Sequence, residues 1–329
     1  MIISKTPFRV SFFGGGTDYP AWYQNEGGAV LSTTINKYCY ITIRPLPKFF
    51  DYNYRLRYFD TEEVQEVSEI KHPSIRETAK FLDISRPFEL VHFAEMPAQS
   101  GLGSSSTFTV GLLNALHAFK GEMVPKTQLM YEAIDIEQNM IAENVGSQDQ
   151  AAAAFGGFNL FSFKKDGNIL HEPIIMPPQR FKELNKNLIL IFTGFSRNAS
   201  DIAKYQIENI RSRYFELNQM KELTDEAVSI LSNKSRKLDD FGKLLDIQWK
   251  LKKEMSAHIT NSTIDDIYQL AIDNGALGGK LLGAGSGGFM LLYVEPESQD
   301  KIKRVFKDFL IFDFSFDSEG STIIHYCDS

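Results

Sequence analysis

The chain has 329 residues, a length that suits about two domains, and is 43% hydrophobic and 23% charged. That balance describes a folded soluble protein and excludes disordered and fibrous classes. The formal net charge of −7 argues against nucleic acid or an anionic membrane surface as the main partner, while leaving room for a local basic pocket for a small phosphate ligand.

In chain order, Phe8–Phe13 mixes aromatic and β-branched residues and reads as a strand that stops at three glycines, Gly14 to Gly16. Ala29–Leu31 and Tyr38–Ile43 read as two further strands, 55–70 as an edge hairpin, and Phe88–Phe93 as a strand entering Pro97. A Gly/Ser-rich loop follows, then an apolar helix over about Ser105–Phe119 and a second helix over about Lys126–Glu143. Gly157–Phe163 is a strand. The polar stretch 174–186, with Pro177 and Pro178, is the expected domain boundary. Beyond it come a buried-type strand (188–193), helical patterns at 200–232, 238–258 and 263–273, and a glycine-rich segment, 275–288, running into the strand Phe289–Val294. A helix near 299–309 and strands at 310–316 and 321–327 close the chain. The second half has the order of a ferredoxin-like sandwich and the first half is also α+β. Expected domains are therefore 1–180 and 181–329.

The cysteines are Cys39 and Cys327, which excludes a disulfide framework and argues against a Cys-ligated metal. Apolar runs are strand-sized and shorter than the ~20 residues a spanning helix needs. The first residues lack the pattern of a secretory signal. The expectation is a cytoplasmic protein with no membrane partner and no nucleic-acid partner.

Three glycine-rich segments carry the chemistry. Pro97-Ala-Gln-Ser-Gly-Leu-Gly-Ser-Ser-Ser106 lies between a strand and a helix. Glycines allow close backbone approach, and the free N–H groups of a helix start favour an anion. A phosphate cradle and an ordinary capped loop both fit this segment alone. It is not a Walker A loop, since no Gly-Lys-Ser/Thr follows. Lys280-Leu-Leu-Gly-Ala-Gly-Ser-Gly-Gly288 contains Gly283, Gly285 and Gly288 at G-x-G-x-x-G spacing, but it enters a strand where a dinucleotide fingerprint would open a helix. Its glycines point to a backbone packed against another segment, such as the first loop, or to a simple β-bend. The third segment, Gly14-Gly-Gly-Thr-Asp18, brings a carboxylate to a tight turn, either to cap the next helix or to accept hydrogen bonds from a polyol.

Two other carboxylates stand out. Met130, Ile134, Glu137 and Ile141 share one helical face, so Glu137 points inward, where it needs an ion-pair partner or a metal such as Mg²⁺. Asp149, between Gln148 and Gln150, suits a helix cap or a general base. The six histidines are scattered, and His117 reads as a packed helix residue.

Together, and in this order, the segments resemble the GHMP kinases, the superfamily of galactokinase, homoserine kinase, mevalonate kinase and phosphomevalonate kinase. Lys5-Thr-Pro-Phe-Arg-Val-Ser-Phe-Phe-Gly-Gly-Gly-Thr-Asp-Tyr19, Pro97–Ser106 and Lys280–Gly288 are similar to its first, second and third motifs. Galactokinases carry Gly-Glu-His-Thr-Asp where this chain has Gly14-Gly-Gly-Thr-Asp18. The triple-glycine form, with Gly146-Ser-Gln-Asp-Gln150 and Thr193-Gly-Phe-Ser-Arg-Asn198, resembles the D-glycero-D-manno-heptose 7-phosphate kinase subfamily, and more loosely fucokinase domains.

The resemblance implies a two-domain α+β GHMP-type fold, with a phosphate loop in the N-terminal domain and a ferredoxin-like C-terminal sandwich. It implies ATP at Pro97, Ser100, Gly101, Leu102, Gly103, Ser104, Ser105 and Ser106, and Mg²⁺ held by Ser105 and Glu137. Galactokinases place their metal acid twelve residues before the catalytic Asp, which selects Glu137 over Glu143. Asp149 corresponds to the catalytic base and Arg9 to its partner. Gly15, Gly16, Thr17, Asp18, Gly283 and Gly285 fall on the sugar side. A distal 7-phosphate needs its own cation, for which Arg197 is the first candidate and Lys5 the second. The implied reaction is phosphorylation of the anomeric hydroxyl of the heptose 7-phosphate to the 1,7-bisphosphate, for nucleotide-activated heptose synthesis. The alternatives are a kinase of another free sugar, such as fucose or galactose, or a silent sugar sensor on the same fold. Oligomeric state is left open, a homodimer being one arrangement.

Overall fold

The computed structural model describes residues 1–194 and 199–327. The first part contains β1 (Ile2–Phe13), α1 (Pro20–Glu26), β2 (Gly28–Pro45), β3 (Tyr54–Arg57), β4 (Thr61–Val64), α2 (Pro73–Phe81), β5 (Phe88–Ala94), α3 (Ser104–Phe119), α4 (Lys126–Asp135), α5 (Gln148–Phe155), β6 (Phe158–Phe163) and β7 (Ile169–Pro173). The remainder contains α6 (Pro178–Lys186), β8 (Leu188–Phe192), α7 (Ala199–Asn209), α8 (Tyr214–Ser232), α9 (Asp239–Glu254), α10 (Ser262–Asp273), β9 (Ala276–Leu281), β10 (Phe289–Val294), α11 (Pro296–Val305), β11 (Leu310–Phe312), β12 (Phe316–Asp317) and β13 (Thr322–Tyr326).

Two sheets organise these elements. The larger has the backbone order β13-β1-β2-β5-β3-β4, with β6 and β12 also on β2 and β7 on β6. The smaller is antiparallel with the order β11-β8-β10-β9. Its chain order is β8, helices, β9, β10, α11, β11, so it has the β-α-β-β-α-β connectivity of a ferredoxin-like sandwich, as expected. The hairpin β3–β4 sits at the edge of the larger sheet. α3 is buried around almost its whole circumference from Ser106 to Phe119, as an apolar helix at the centre of a core must be.

Several boundaries differ from the sequence expectation. Ala29–Leu31 and Tyr38–Ile43 belong to one 18-residue strand, β2. Asn36 and Lys37 do not break it, because Asn36 exchanges hydrogen bonds with Ser315: its N–H donates to the Ser315 carbonyl at 2.9 Å, and its Oδ1 accepts from the Ser315 N–H at 2.7 Å. The helix expected to reach Glu143 ends at Asp135 and passes into a π-turn, Ile136–Met140. The 200–232 pattern is two helices, broken at 210–213. The polar 174–186 stretch contains α6, which buries Leu184. The glycine-rich run contains a strand, β9, because α9 crowds it too closely for side chains: a Cβ on Gly278 would lie 3.1 Å from the Asp246 side chain. The expected strand 310–316 divides between the two sheets, and β13 pairs with β1 in register Ile2–Tyr326. Residues 316–326 thus sit in the sheet of the first half, although the expected division put them with the second. Both cysteines are free thiols. Among the described residues no helix is long and apolar enough to cross a membrane.

Candidate active site

Arg9 projects from the middle of β1 and is 4% exposed. Its Nε and Nη2 donate to the two carboxylate oxygens of Asp149, each at 2.7 Å, the bidentate fork that guanidinium geometry favours. Its Nη1 donates to the Gly101 carbonyl at 2.6 Å. The backbone N–H of Arg9 donates to Leu102 O at 3.1 Å, which ties the strand to the glycine loop. Asp149 stands in the first turn of α5. Behind it, Ala151–Ala154 are all buried, their small side chains letting the helix sit close to the sheet.

The loop before α3 turns through left-handed backbone at Gln99, Gly101 and Gly103. Gly103 is the N-cap, and a Cβ there would lie 3.3 Å from both Asp149 Oδ2 and Arg9 Cγ. The backbone therefore passes directly over the Arg9–Asp149 pair. The N-terminus of a 16-residue helix opens beside that pair, which favours an anion there.

The Lys280–Gly288 segment packs on this loop, as one of its two readings held. A Cβ on Gly283 would lie 2.5 Å from Gly101 Cα, and the Phe289 N–H donates to Ser100 O at 3.0 Å. Asp18, 2% exposed, accepts from the Gly16 N–H at 2.9 Å and the Gln148 N–H at 3.3 Å. Burial raises its pKa above the ordinary carboxylate value against the pull of the Gly16 N–H, and the Asp149 charge adds to the rise. These groups line one cavity of about 240 Å³, together with Gly15, Gly16, Gly283 and the helix-start serines Ser104, Ser105 and Ser106.

Other expected residues lie elsewhere. Glu137 is completely buried, and its Oε2 accepts from the hydroxyl of Ser106 at 2.7 Å and from the Gln150 amide. Ser106, one residue beyond the expected Ser105, is the serine that meets this carboxylate, whereas Ser105 is exposed at the cavity. Glu137 Oε1 has no partner, and burial pushes the carboxyl up to about 7. Glu143, set aside in the sequence, lines the cavity. Lys5 does not. Four residues along a strand separate it from Arg9 by about 13 Å, and it pairs with Glu319 at 3.1 Å over the Tyr38 ring. The Thr17 hydroxyl donates to Gly14 O and Ala29 O, which shapes the turn. Gly285 packs on Ile259, and Pro97, Ser100 and Leu102 shape the loop without lining the cavity. Arg197 lies outside the described residues.

Two cavity residues had no role assigned from sequence. Lys280 is 2% exposed and donates to Ser11 O and Phe12 O at 2.9 and 3.0 Å. Lys252, 5% exposed, comes from the last turn of α9. A signal existed for it: Leu245, Gln248, Trp249 and Lys252 follow i, i+3, i+4, i+7 spacing and all are buried.

Residues 72–157 match the GHMP kinase N-terminal domain and 226–311 the GHMP kinase C-terminal domain. A D-glycero-alpha-D-manno-heptose 7-phosphate kinase from Campylobacter jejuni is 32% identical over 97% of both chains. The chain belongs to the GHMP kinases. Its class is accordingly that of an ATP-dependent sugar kinase. A fucokinase/GDP-fucose pyrophosphorylase of Arabidopsis thaliana is 23% identical over 91% of this chain and 30% of that longer protein. Among solved structures, a D-glycero-D-manno-heptose 1-phosphate kinase from Bacteroides thetaiotaomicron superposes with a TM-score of 0.81 over the full length of both chains at 23% identity. A putative sugar kinase from Campylobacter jejuni gives 0.68 over 98% of both at 26%.

Proposed function

We propose that this GHMP kinase transfers the γ-phosphoryl group of ATP to the anomeric hydroxyl of D-glycero-D-manno-heptose 7-phosphate, giving the 1,7-bisphosphate. The observation that carries the reading is the Arg9–Asp149 pair, set against the N-terminus of α3 in a cavity also lined by Asp18. The sugar identity rests on the Campylobacter jejuni relative.

The glycine loop and the start of α3 hold the phosphates. Asp149 takes the anomeric proton as the sugar oxygen bonds to the γ-phosphorus, and the bond to the β–γ bridging oxygen breaks to release ADP. Arg9 fixes the carboxylate and faces the charge that develops on the transferring group. Asp18 accepts hydrogen bonds from the sugar. Mg²⁺, when bound, offsets phosphate charge. A buried carboxylate oxygen without a partner, Glu137 Oε1, beside the Ser106 hydroxyl is a donor set that suits a hard cation, so Glu137 and the helix-start serines are the residues that would hold it. Among the described residues no group of three or more His, Cys, Asp or Glu could hold a metal, and Mg²⁺ commonly takes one or two carboxylates together with substrate phosphates. Free thiols and an ATP substrate support a cytoplasmic location.

The test is ATP consumption with Mg²⁺ across heptose 7-phosphate, free heptose, fucose, galactose and mevalonate. Turnover confined to the 7-phosphate is expected. Faster turnover of a free sugar would overturn the substrate assignment.

A further inference from the structure

The cavity holds a cation that lies outside the sequence motifs. Lys252 reaches it from α9, an element of the smaller sheet's layer, and is 5% exposed. Its ammonium donates to Leu281 O at 3.3 Å and to Gly283 O, both backbone carbonyls. Among the described residues no carboxylate lies within ion-pair distance of it. The same holds for its neighbour Lys280, whose bonds also go to carbonyls alone. Buried charge without a counter-ion is costly, and a fold retains it where a ligand supplies the opposite charge.

The position narrows which charge that is. Gly283, whose carbonyl Lys252 holds, packs against Gly101. Gly101 O in turn accepts from Arg9 Nη1. Arg9 and Lys252 thus each hold one glycine carbonyl of the Gly101–Gly283 contact, and both line the cavity. The group between them is whatever lies beside the phosphate loop and next to Asp149. Under the reading above that is the phosphoryl group in transit, at the end of the triphosphate. We propose that Lys252 is the second cation of the phosphoryl-transfer centre, a catalytic residue that contacts the γ-phosphoryl oxygens opposite Arg9.

The electrostatics of the free protein agree. Burial pushes the Lys252 ammonium down to about 7 and Arg9 adds to the fall, while Asp18 and Asp149 oppose it. Lys280 is the other titratable group on this side, held well below the ordinary lysine value by its burial and by Lys252. An arriving triphosphate would favour the protonated form of Lys252 as it binds.

The inference rests on the kinase reading, so the first measurement is independent of the sugar. Affinities for ADP and for a non-hydrolysable ATP analogue are measured by calorimetry in wild type, Lys252→Met, Lys252→Gln and Lys243→Met, the last a control in exposed α9 surface. A γ-phosphoryl contact predicts that both Lys252 variants lose tenfold or more for the analogue and less than twofold for ADP, with Lys243→Met unchanged. A residue that only braces the Gly283 turn would weaken both nucleotides together, and that result overturns the proposal, as does no loss for either. Lys252→Gln keeps an N–H donor for the two carbonyls, so a folded uncharged variant is retained if Lys252→Met is poorly behaved. The second measurement is sugar phosphorylation: kcat falls about 10²-fold or more, sugar KM stays within threefold, and Lys252→Arg restores part of kcat. A rise confined to the KM of a phosphorylated sugar would assign Lys252 to the distal phosphate instead and overturn the γ-phosphoryl assignment. Absence of turnover by wild type on every sugar would defeat the substrate reading while leaving the nucleotide comparison intact.

Discussion

Replacing Glu137 by Gln separates burial from metal binding at one carboxylate. In the folded free protein the Glu137 carboxyl sits at about 7, mainly because burial penalises its charged form, against an ordinary value of 4.5. The nearby Thr109 hydroxyl and the hydrogen bond from Ser106 oppose the rise, and Glu143 adds to it. The folded state therefore holds this proton more tightly than the unfolded state. The resulting stability is fully present below about pH 4.5 and is lost as pH rises through about 7. The gap of about 2.5 pH units, at about 1.36 kcal/mol each, amounts to roughly 3 kcal/mol. At about 2.1 cal/mol/K per residue, unfolding 329 residues carries an entropy near 0.7 kcal/mol/K, so the effect is about 5 °C in Tm. Glutamine is neutral throughout and removes the term. The assay is thermal unfolding of both proteins from pH 5 to pH 8. The Tm of Glu137→Gln relative to wild type should climb by about 4 °C across that range without ligand, most of the full effect. With Mg²⁺ and a non-hydrolysable ATP analogue at pH 8, wild type should gain more than the variant, because the cation accepts the ionised carboxylate. A difference between the two proteins that does not change with pH would refute the burial argument. An equal gain from Mg²⁺-nucleotide in both would refute the metal assignment.

Asp149→Asn keeps an oxygen acceptor for Arg9 but removes the base, so kcat should fall about 10²- to 10⁴-fold in a folded protein; near-normal kcat would remove Asp149 from proton transfer. Gly283→Ala should weaken ATP binding at least tenfold, since its Cβ meets Gly101 Cα at 2.5 Å, whereas Gly121→Ala has a similar positive φ with nothing within 4 Å and should cost only stability; nucleotide affinities of the two variants decide whether the glycine contact or backbone strain matters. Arg197→Ala should raise KM for the phosphorylated sugar and leave turnover of a non-phosphorylated analogue nearly unchanged, and equal effects on both substrates would exclude a distal-phosphate role.

What the sequence revealed and concealed follows from range. Gly101, Gly103 and Gly283 were visible because a close backbone approach demands glycine, and few other residues announce their constraint so directly. Glu137 was readable as inward-facing because helical spacing is local. The choice of Ser106 over Ser105 was not, because it depends on the rotation of α3 against the π-turn that carries Glu137, which shortens the helix expected there. Nor was the single strand β2. Asn36 looks like a turn residue until Ser315 is known to pair with it across 279 positions of sequence. The return of β13 to β1 has the same origin, a partnership between residues 2–5 and 322–326 that no window along the chain contains.

Lys252 was concealed for a different reason. Lys250 and Lys253 flank it, and three lysines in four positions look like a solvated helix face. The helical period separates them: Lys250 pairs with Asp246 on the exposed side and Lys253 with Asp265, while Lys252 falls on the face of Trp249. Burying that face puts an ammonium at the end of β9, where the chain leaves the strand through glycines and leaves the carbonyls of Leu281 and Gly283 facing it. The same absence of side chains that lets this turn touch the phosphate loop leaves room for a lysine from another helix to enter behind it. A motif-based reading sees the glycines and stops there, whereas the charge that makes the turn useful to an anion comes from about thirty residues earlier in the chain.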